Sequence, residues 1–443
     1  MAEAPIPLTP KALPKPLLTI QFLLKIAVSL SAVSIMLAIG INTDQAAGEH
    51  LTLAPTKTPA ASIRVKGTIK IVSQSPLTGQ QASLGIAIQN GVALAVQKET
   101  KSLTDLGWKL EYEALDDKAD PATGVANAQK IVDDTSILAV VGHLNSRVAI
   151  PASEVYAGYN LAMVSPANTN ALITDRTSTY LIANRVSGRD DNQGPVAAKY
   201  AATVLKAHKV YVISDKTAFG LLMAGGFVQE ARTLGLQVLA QKATDESSDF
   251  DSILTPIVAL KPDVLYYGGS SYEQAAALFK QAREHGITAQ FLSPDAIDLI
   301  GLVKDAGDAA VGLIFTTTAG PTSLFPEAAQ FMEDYKAAYN TDYVETYAPE
   351  AYAATQVVIA GLTKAITLNG GKLPSRQQVA AAIRATKGLK TVIGSITFDI
   401  KGDMEAASYY VVKVVSSDPA KYYLDGKTTL EKFTFPFPLT PWK

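Results

Sequence analysis

One stretch, Leu138 to Thr169, restricts what this chain can fold into more than any other. It opens with an apolar run, Leu138 to Val141, short enough for a buried strand, and Gly142 closes that run. A polar turn, His143-Leu144-Asn145-Ser146, leads into a helix-like segment with Ile150, Val155 and Tyr156 on one side. A second short strand, Ala162 to Val164, ends in Ser165-Pro166 and the small polar loop Ala167-Asn168-Thr169. Strand, helix and strand at this spacing predict a parallel crossover unit. In open α/β sheets, ligands sit beyond the carboxyl ends of the strands. Both polar loops fall at such ends and are expected to form one wall of a site.

The same layout comes before and after this stretch. Thr68 to Val72 reads as a strand, and a helix runs on through Gly91 to Lys98. Trp108, Leu110, Tyr112 and Ala114 alternate with charged residues, which is strand period. Asp120-Pro121 is a helix start, an N-cap acceptor followed by proline at the first helical position. Further on come strands at Val210–Ile213, Val238–Ala240, Val264–Tyr267 and Gln290–Leu292, with helices between them. Gly286 is placed as the left-handed cap of the helix that ends near His285. Gly142 aligns with Gly268, and Ser165-Pro166 aligns with Ser293-Pro294. Two copies of one layout predict an α/β fold of two similar, Rossmann-like lobes with parallel sheets, facing each other. Helices are expected near Pro326–Tyr339, Glu350–Leu368 and Ser375–Ala385, and closing strands at Ser395–Phe398 and Tyr409–Val415. The proline-rich end reads as an extended tail packed on one lobe.

Composition narrows the function. The net charge of −2 on 443 residues gives no reason to expect a nucleic-acid partner. With no cysteine there is no disulfide, thiol nucleophile, zinc-thiolate site or lipid-modified cysteine. The four histidines stand singly, so no metal helix and no cofactor is expected. Lys11 and Lys15 precede a greasy segment whose uninterrupted part runs from Ile26 to Ile41. Positive charge before an apolar stretch keeps the N-terminus in the cytoplasm and exports the chain beyond that stretch. Residues 1–41 are therefore read as a signal peptide or, since no clean cleavage site comes after them, a membrane anchor, and 42–65 as a linker.

Several motifs in one order carry a resemblance. Gly142-His143-Leu144-x-Ser146, Pro151-Ala152-Ser153 and Ser165-Pro166-Ala167-x-Thr169 resemble the leucine/isoleucine/valine-binding proteins of bacterial ABC importers. So do Asp116-Asp117…Asp120-Pro121, Gln193-Gly194-Pro195, Tyr266-Tyr267-Gly268-Gly269, Ala306-Gly307-Asp308 and Lys401-Gly402-Asp403. The resemblance covers roughly Lys66 to Val415. It implies the type 1 periplasmic binding protein fold, with three chain crossings forming a hinge, placed near Val186–Gly188, Thr317–Gly320 and Val392–Ser395. Lobe 1 would then hold 66–187 and 319–392, lobe 2 would hold 188–318 and 393–415, and 416–443 would be a C-terminal extension. It implies a monomer in the periplasm that passes a neutral or branched-chain amino acid to ABC permease subunits.

The site chemistry can be argued beside that. A zwitterionic amino acid needs donors for its carboxylate and acceptors for its ammonium. Ser146 offers a hydroxyl, and Asn145 and Ser146 stand at a helix N-terminus whose open N–H groups suit an anion. The Ala167 carbonyl and the Thr169 hydroxyl can accept from an ammonium, and Asp295, on the matching loop of the other half, can supply the counter-charge. The resemblance assigns Ser146, Ala167 and Thr169 to the amino-acid backbone. At the Asp295 position the family usually has glutamate. Phe219 falls where the family has a lobe-closing aromatic. Leu84 and Ser270 stand where aromatics are common, with Tyr272 the nearest substitute for the latter. Each residue has a plainer reading: Ser146 and Asp295 as helix caps, Asn168 and Thr169 as turn residues, Phe219 as core, Arg147 as a solvated cation and His143 as a packed loop residue. Against an enzyme, no G-x-S-x-G elbow occurs, and Gly370-Gly371-Lys372 lacks the spacing of a phosphate loop. The alternatives to a transport role for amino acids are an anchored ligand sensor and transport of urea, an amide or another small solute.

Overall fold

The structure, a computed structural model, describes residues 65–424 and 426–436; the N-terminal apolar segment and nearly all of the linker lie outside them. The first sheet is built from β1 (Gly67–Ser75), β2 (Trp108–Asp116), β3 (Ile137–Gly142), β4 (Ala162–Ser165) and β5 (Ala183–Arg185). Between them run α1 (Ala82–Glu99), α2 (Lys101–Asp105), α3 (Pro121–Asp133) and α4 (Ser146–Gly158). The strand order is β2-β1-β3-β4-β5, all parallel. The chain then enters a second sheet through α5 (Asp190–Thr203), β6 (Lys209–Ser214), α6 (Ala218–Thr233), β7 (Gln237–Ala243) and α7 (Asp251–Leu260). It goes on through β8 (Val264–Gly268), α8 (Tyr272–Glu284), β9 (Gln290–Pro294), α9 (Ile300–Ala306) and β10 (Ile314–Thr317). These strands stack β7-β6-β8-β9-β10, the order of the first sheet repeated. The recurrence in the sequence is thus a recurrence in topology, and Gly142 and Gly268 close the equivalent strands β3 and β8.

The chain returns to the first sheet with α10 (Ala329–Tyr339), α11 (Ala348–Leu368), α12 (Arg376–Arg384) and a hairpin of β11 (Leu389–Thr391) and β12 (Gly394–Ile396). It ends on the second sheet, where β13 (Ala406–Val414) pairs antiparallel with β10, and β14 (Lys427–Pro436) pairs antiparallel with β13. The proline-rich tail is therefore an edge strand of the second sheet over its described part.

Local chemistry explains the element ends. Asp120 caps α3 by accepting the Thr123 N–H at 2.7 Å, with Pro121 in the first turn. Gly286, after α8, holds φ +73°. Strand β3 is buried along its whole length, as a strand covered by helices on both faces must be. Helix α11 is apolar and long enough to cross a membrane, but it is largely buried among first-lobe core residues and packs on α1. Each fully buried aliphatic side chain there contributes about 1.5–3 kcal/mol.

Three segments link the two sheets. After β5 the chain passes Val186–Arg189 into α5. After β10 it passes Thr318–Pro321 toward α10. Gly188 and Gly320 let these segments pack closely: a Cβ on Gly188 would lie 2.8 Å from the Tyr409 ring, and one on Gly320 would lie 2.5 Å from that of Tyr410. The third link falls later than Val392–Ser395. Val392, Ile396 and Phe398 belong to the first-lobe core, so the chain stays with that lobe through the hairpin. It leaves in a turn where Asp399 Oδ1 accepts the N–H groups of Lys401, Gly402 and Asp403 at 2.8, 2.8 and 3.0 Å.

Candidate functional site

The two loops singled out from the sequence are stitched together. Ser165 Oγ accepts the N–H groups of Ala167 and Asn168 at 3.2 and 2.7 Å. Asn168 reaches across, accepting the His143 N–H and donating to the Leu144 carbonyl, each at 3.0 Å. Ser146 stands at the first position of α4, and its hydroxyl accepts the Asn170 N–H at 3.4 Å. No side chain caps that helix, although Asn145 occupies the cap position, and the buried Asn145 Oδ1 has no partner. His143 is fully buried between Asp117, at 3.2 Å, and the Tyr156 hydroxyl, at 3.4 Å, which is the packed-loop reading. Arg147 is exposed.

Arg185 sets the position of the second loop. It is fully buried, and its Nη1 donates to the carbonyls of Asn168 and Asn170, both at 2.9 Å, on either side of Thr169. Its Nε donates to Asp403 at 2.6 Å and its Nη2 to Thr174 at 2.6 Å. Arg189 Nη1 donates to the other Asp403 oxygen at 2.9 Å. Burial opposes ionisation of Asp403, but Arg185 and Arg189 hold its carboxyl below the ordinary range. The first and third links and the Thr169 loop are therefore one hydrogen-bonded unit.

Bonded to the Thr169 loop, through a backbone N–H that donates to the Thr169 carbonyl at 2.9 Å, stands a residue that sequence reasoning missed. Asp190, the first residue of α5, is buried and accepts from the Thr169 hydroxyl, yet its Oδ1 has no partner. Asp295, from the loop after β9, is near enough for its charge to act on Asp190 and leaves its own buried Oδ2 without a partner. Around the pair, Gln193 Oε1, the Tyr266 hydroxyl and the hydroxyls of Thr316 and Thr318 are also buried and unpartnered. Burial, with the Asp295 charge adding to it, pushes Asp190 up to about 7. Burial pushes Asp295 up to about 6, against hydrogen bonds from Gln193 and the Thr318 N–H. Two neighbouring carboxylates, each with a buried oxygen that lacks a donor, stand among hydroxyls without partners, an arrangement a cation can complete. The only cue in the sequence was Asp190-Asp191 at a helix start, which reads as an ordinary acidic first turn.

The other expected residues divide. Thr169 bonds to Asp190 and the Asp295 charge acts on Asp190, while Ala167 and Ser146 belong to the stitched loops beside Thr169, Ser146 through Asn170. Leu84 is buried in the first-lobe core. Phe219 packs, half-buried, on the core beneath α6. Ser270 is exposed, and both its N–H and its hydroxyl donate to Asp215, at 2.6 and 2.8 Å.

The two acids set a pH dependence. Their folded pKa values lie above the ordinary 3.8, so the empty fold binds more protons than the unfolded chain between about 4 and 7. Stability of the empty protein should fall as pH rises through that window. A bound ammonium needs both carboxylates ionised, so affinity for it should rise over the same window, by about a hundredfold between pH 5.5 and 8. Calorimetric titrations at the two pH values check this; a flat profile would contradict it.

Two α/β sheets of one topology joined by three linking segments define a two-lobed protein. Residues 68–419 match the periplasmic binding protein family, and the chain belongs to it. It is 32% identical over 376 residues, 84% of this chain and 96% of the relative, to an amino acid binding protein of Pseudomonas aeruginosa. It is 34% identical over 340 residues, 76% of this chain and 89% of the relative, to the Leu/Ile/Val-binding protein BraC3 of Rhizobium johnstonii. Among solved structures, the leucine binding protein LivK of Thermotoga maritima superposes with a TM-score of 0.70 at 25% identity, covering 82% of this chain and 98% of that one.

Proposed function

We propose that this protein binds a branched-chain or other neutral amino acid between its lobes and delivers it to the permease of an ABC importer. The observation that carries the reading is the pair Asp190 and Asp295, each with one buried carboxylate oxygen that lacks a partner, the first beside the Thr169 hydroxyl. An α-ammonium supplies the missing donors and the missing positive charge. The ligand carboxylate goes to the uncapped end of α4, with the Ser146 hydroxyl and the backbone N–H groups there. The names of the relatives support an amino acid over other zwitterions. A thermal-shift screen of the twenty amino acids and urea tests the ligand class. Stabilisation by urea alone would contradict the reading. Ser146→Ala removes a donor to a charged group and should weaken binding about tenfold to a hundredfold. Unchanged affinity in that variant would remove Ser146 from the site.

The protein works outside the cytoplasmic membrane as a monomer, with residues 1–41 exporting it or anchoring it there. Protease added to intact spheroplasts should digest the domain from Lys66 onward; full protection would contradict export.

A further inference from the structure

A second cavity, of about 490 Å³, lies beside the linking segment that follows β10. None of Ser146, Ala167, Thr169, Asp190 or Asp295 lines it. One wall is the approach to α11, with Tyr343, Glu345, Tyr347 and Glu350. The facing wall comes from the C-terminal extension, with Tyr422, Tyr423 and Lys427. Tyr343 stacks on Tyr423 with ring centroids 5.2 Å apart, so the walls meet through an aromatic pair.

The polar groups of this cavity are mismatched. Glu350 is 3% exposed, and its Oε2 has no hydrogen-bond partner. Its carboxylate also accepts the backbone N–H of Tyr347, so a helix-capping role uses part of the group and leaves the rest open. Glu345 lines the same wall, and no ion pair involves its side chain among the described residues. Of the lining cations, Lys336 is exposed on α10, and Lys427 is already paired with Asp298 at 2.7 Å. Lys427 shows what the cavity wall recognises. Its ammonium lies 4.4 Å from the Tyr422 ring centroid and 4.9 Å from that of Tyr423, with a carboxylate in contact. That is a cation held by aromatic faces and an acid, supplied by the chain itself.

We propose that this cavity is a second ligand site, adjoining the amino acid site through Tyr347, and that it takes an organic cation. The Tyr347 hydroxyl senses the charges of both Asp295 and Glu350. The cation pairs with Glu350 and Glu345 while its carbon skeleton lies on the rings of Tyr343, Tyr347 and Tyr423. The volume fits a small-molecule ligand. Because first-lobe and C-terminal residues both line the cavity, an occupant touches segments that belong to different lobes.

The test uses the whole protein saturated with leucine, titrated with 2-phenylethylamine at pH 8.5, where both the probe's ammonium and the Glu350 carboxylate are charged. The controls are 2-phenylethanol and 3-phenylpropionate. The amine should bind saturably and raise the melting temperature, and neither control should. Glu350→Gln and Glu345→Gln should each weaken the amine about tenfold, the second serving if the first melts too low to titrate. Equal binding of the alcohol, no binding of the amine, or undiminished affinity in both glutamine variants would overturn the proposal. If leucine itself does not bind, the amine titration without leucine still reads this cavity through the two glutamine variants.

Discussion

Arg185→Met should lower unfolding stability by roughly 3–5 kcal/mol, the usual effect of breaking a buried ion pair from one side. The side chain is fully buried and makes four hydrogen bonds. Methionine keeps much of the volume, so the loss comes from what is stranded: the Asp403 carboxylate loses one of its two arginines, and the carbonyls of Asn168 and Asn170 lose their donor. The effect should reach the site, because those carbonyls flank Thr169. Urea denaturation of Arg185→Met, Asp403→Asn and the double variant measures it. The double variant should be little worse than either single one, since each removes the same contact. A loss below about 1 kcal/mol for Arg185→Met would mean that Arg189 alone suffices to hold Asp403.

How far the sequence went can be seen residue by residue. Period and apolar runs located the strands, and the repeat of Gly142 and Ser165-Pro166 as Gly268 and Ser293-Pro294 anticipated two sheets of one topology. These signals are local and so survive in a linear reading. The loops at Ser146 and Thr169 were legible for the same reason, as they end strands. Asp190 was not, because its meaning depends on Asp295, more than a hundred residues away and on another element. Arg185 was hidden likewise: nothing near it in sequence says that it will meet Asp403. Leu84 and Ser270 went the other way. They were read by position against a family pattern; in the structure Leu84 packs in the first-lobe core and Ser270 donates to Asp215, neither of which assigns or removes a ligand role. The third link was placed too early because the hairpin Leu389–Ile396 has strand character, and strand character does not tell which sheet a strand joins.

Asp295→Asn should move stability and binding in opposite directions. In the ligand-free protein one oxygen of this carboxylate is buried without a partner, and burial raises the group to about 6. Replacing it by a neutral amide of equal size removes the cost of ionising it. The empty protein should therefore gain on the order of 2–3 kcal/mol above pH 7 and nothing below pH 4. Amino acid binding loses a charged acceptor for the ammonium, an interaction worth roughly 1.5–3 kcal/mol, or about tenfold to a hundredfold in affinity. A variant that is more stable and binds less well is the mark of a charge held for a ligand. One that is destabilised and binds normally would make Asp295 a structural residue.

The central claim is that the ligand is gripped from both lobes. Thr169 belongs to the first sheet's loops, Asp295 to the second's, and the ligand gains both sets of contacts only when the lobes are together. It therefore shifts an open–closed equilibrium by its differential affinity for the two states. Small-angle X-ray scattering, recorded with and without a saturating amino acid chosen from the thermal-shift screen, measures that shift. The radius of gyration should fall on ligand addition in the wild type, and fall less in Asp295→Asn at the same ligand concentration. Tight binding with no change in the wild-type radius would contradict closure and place the whole site within one lobe.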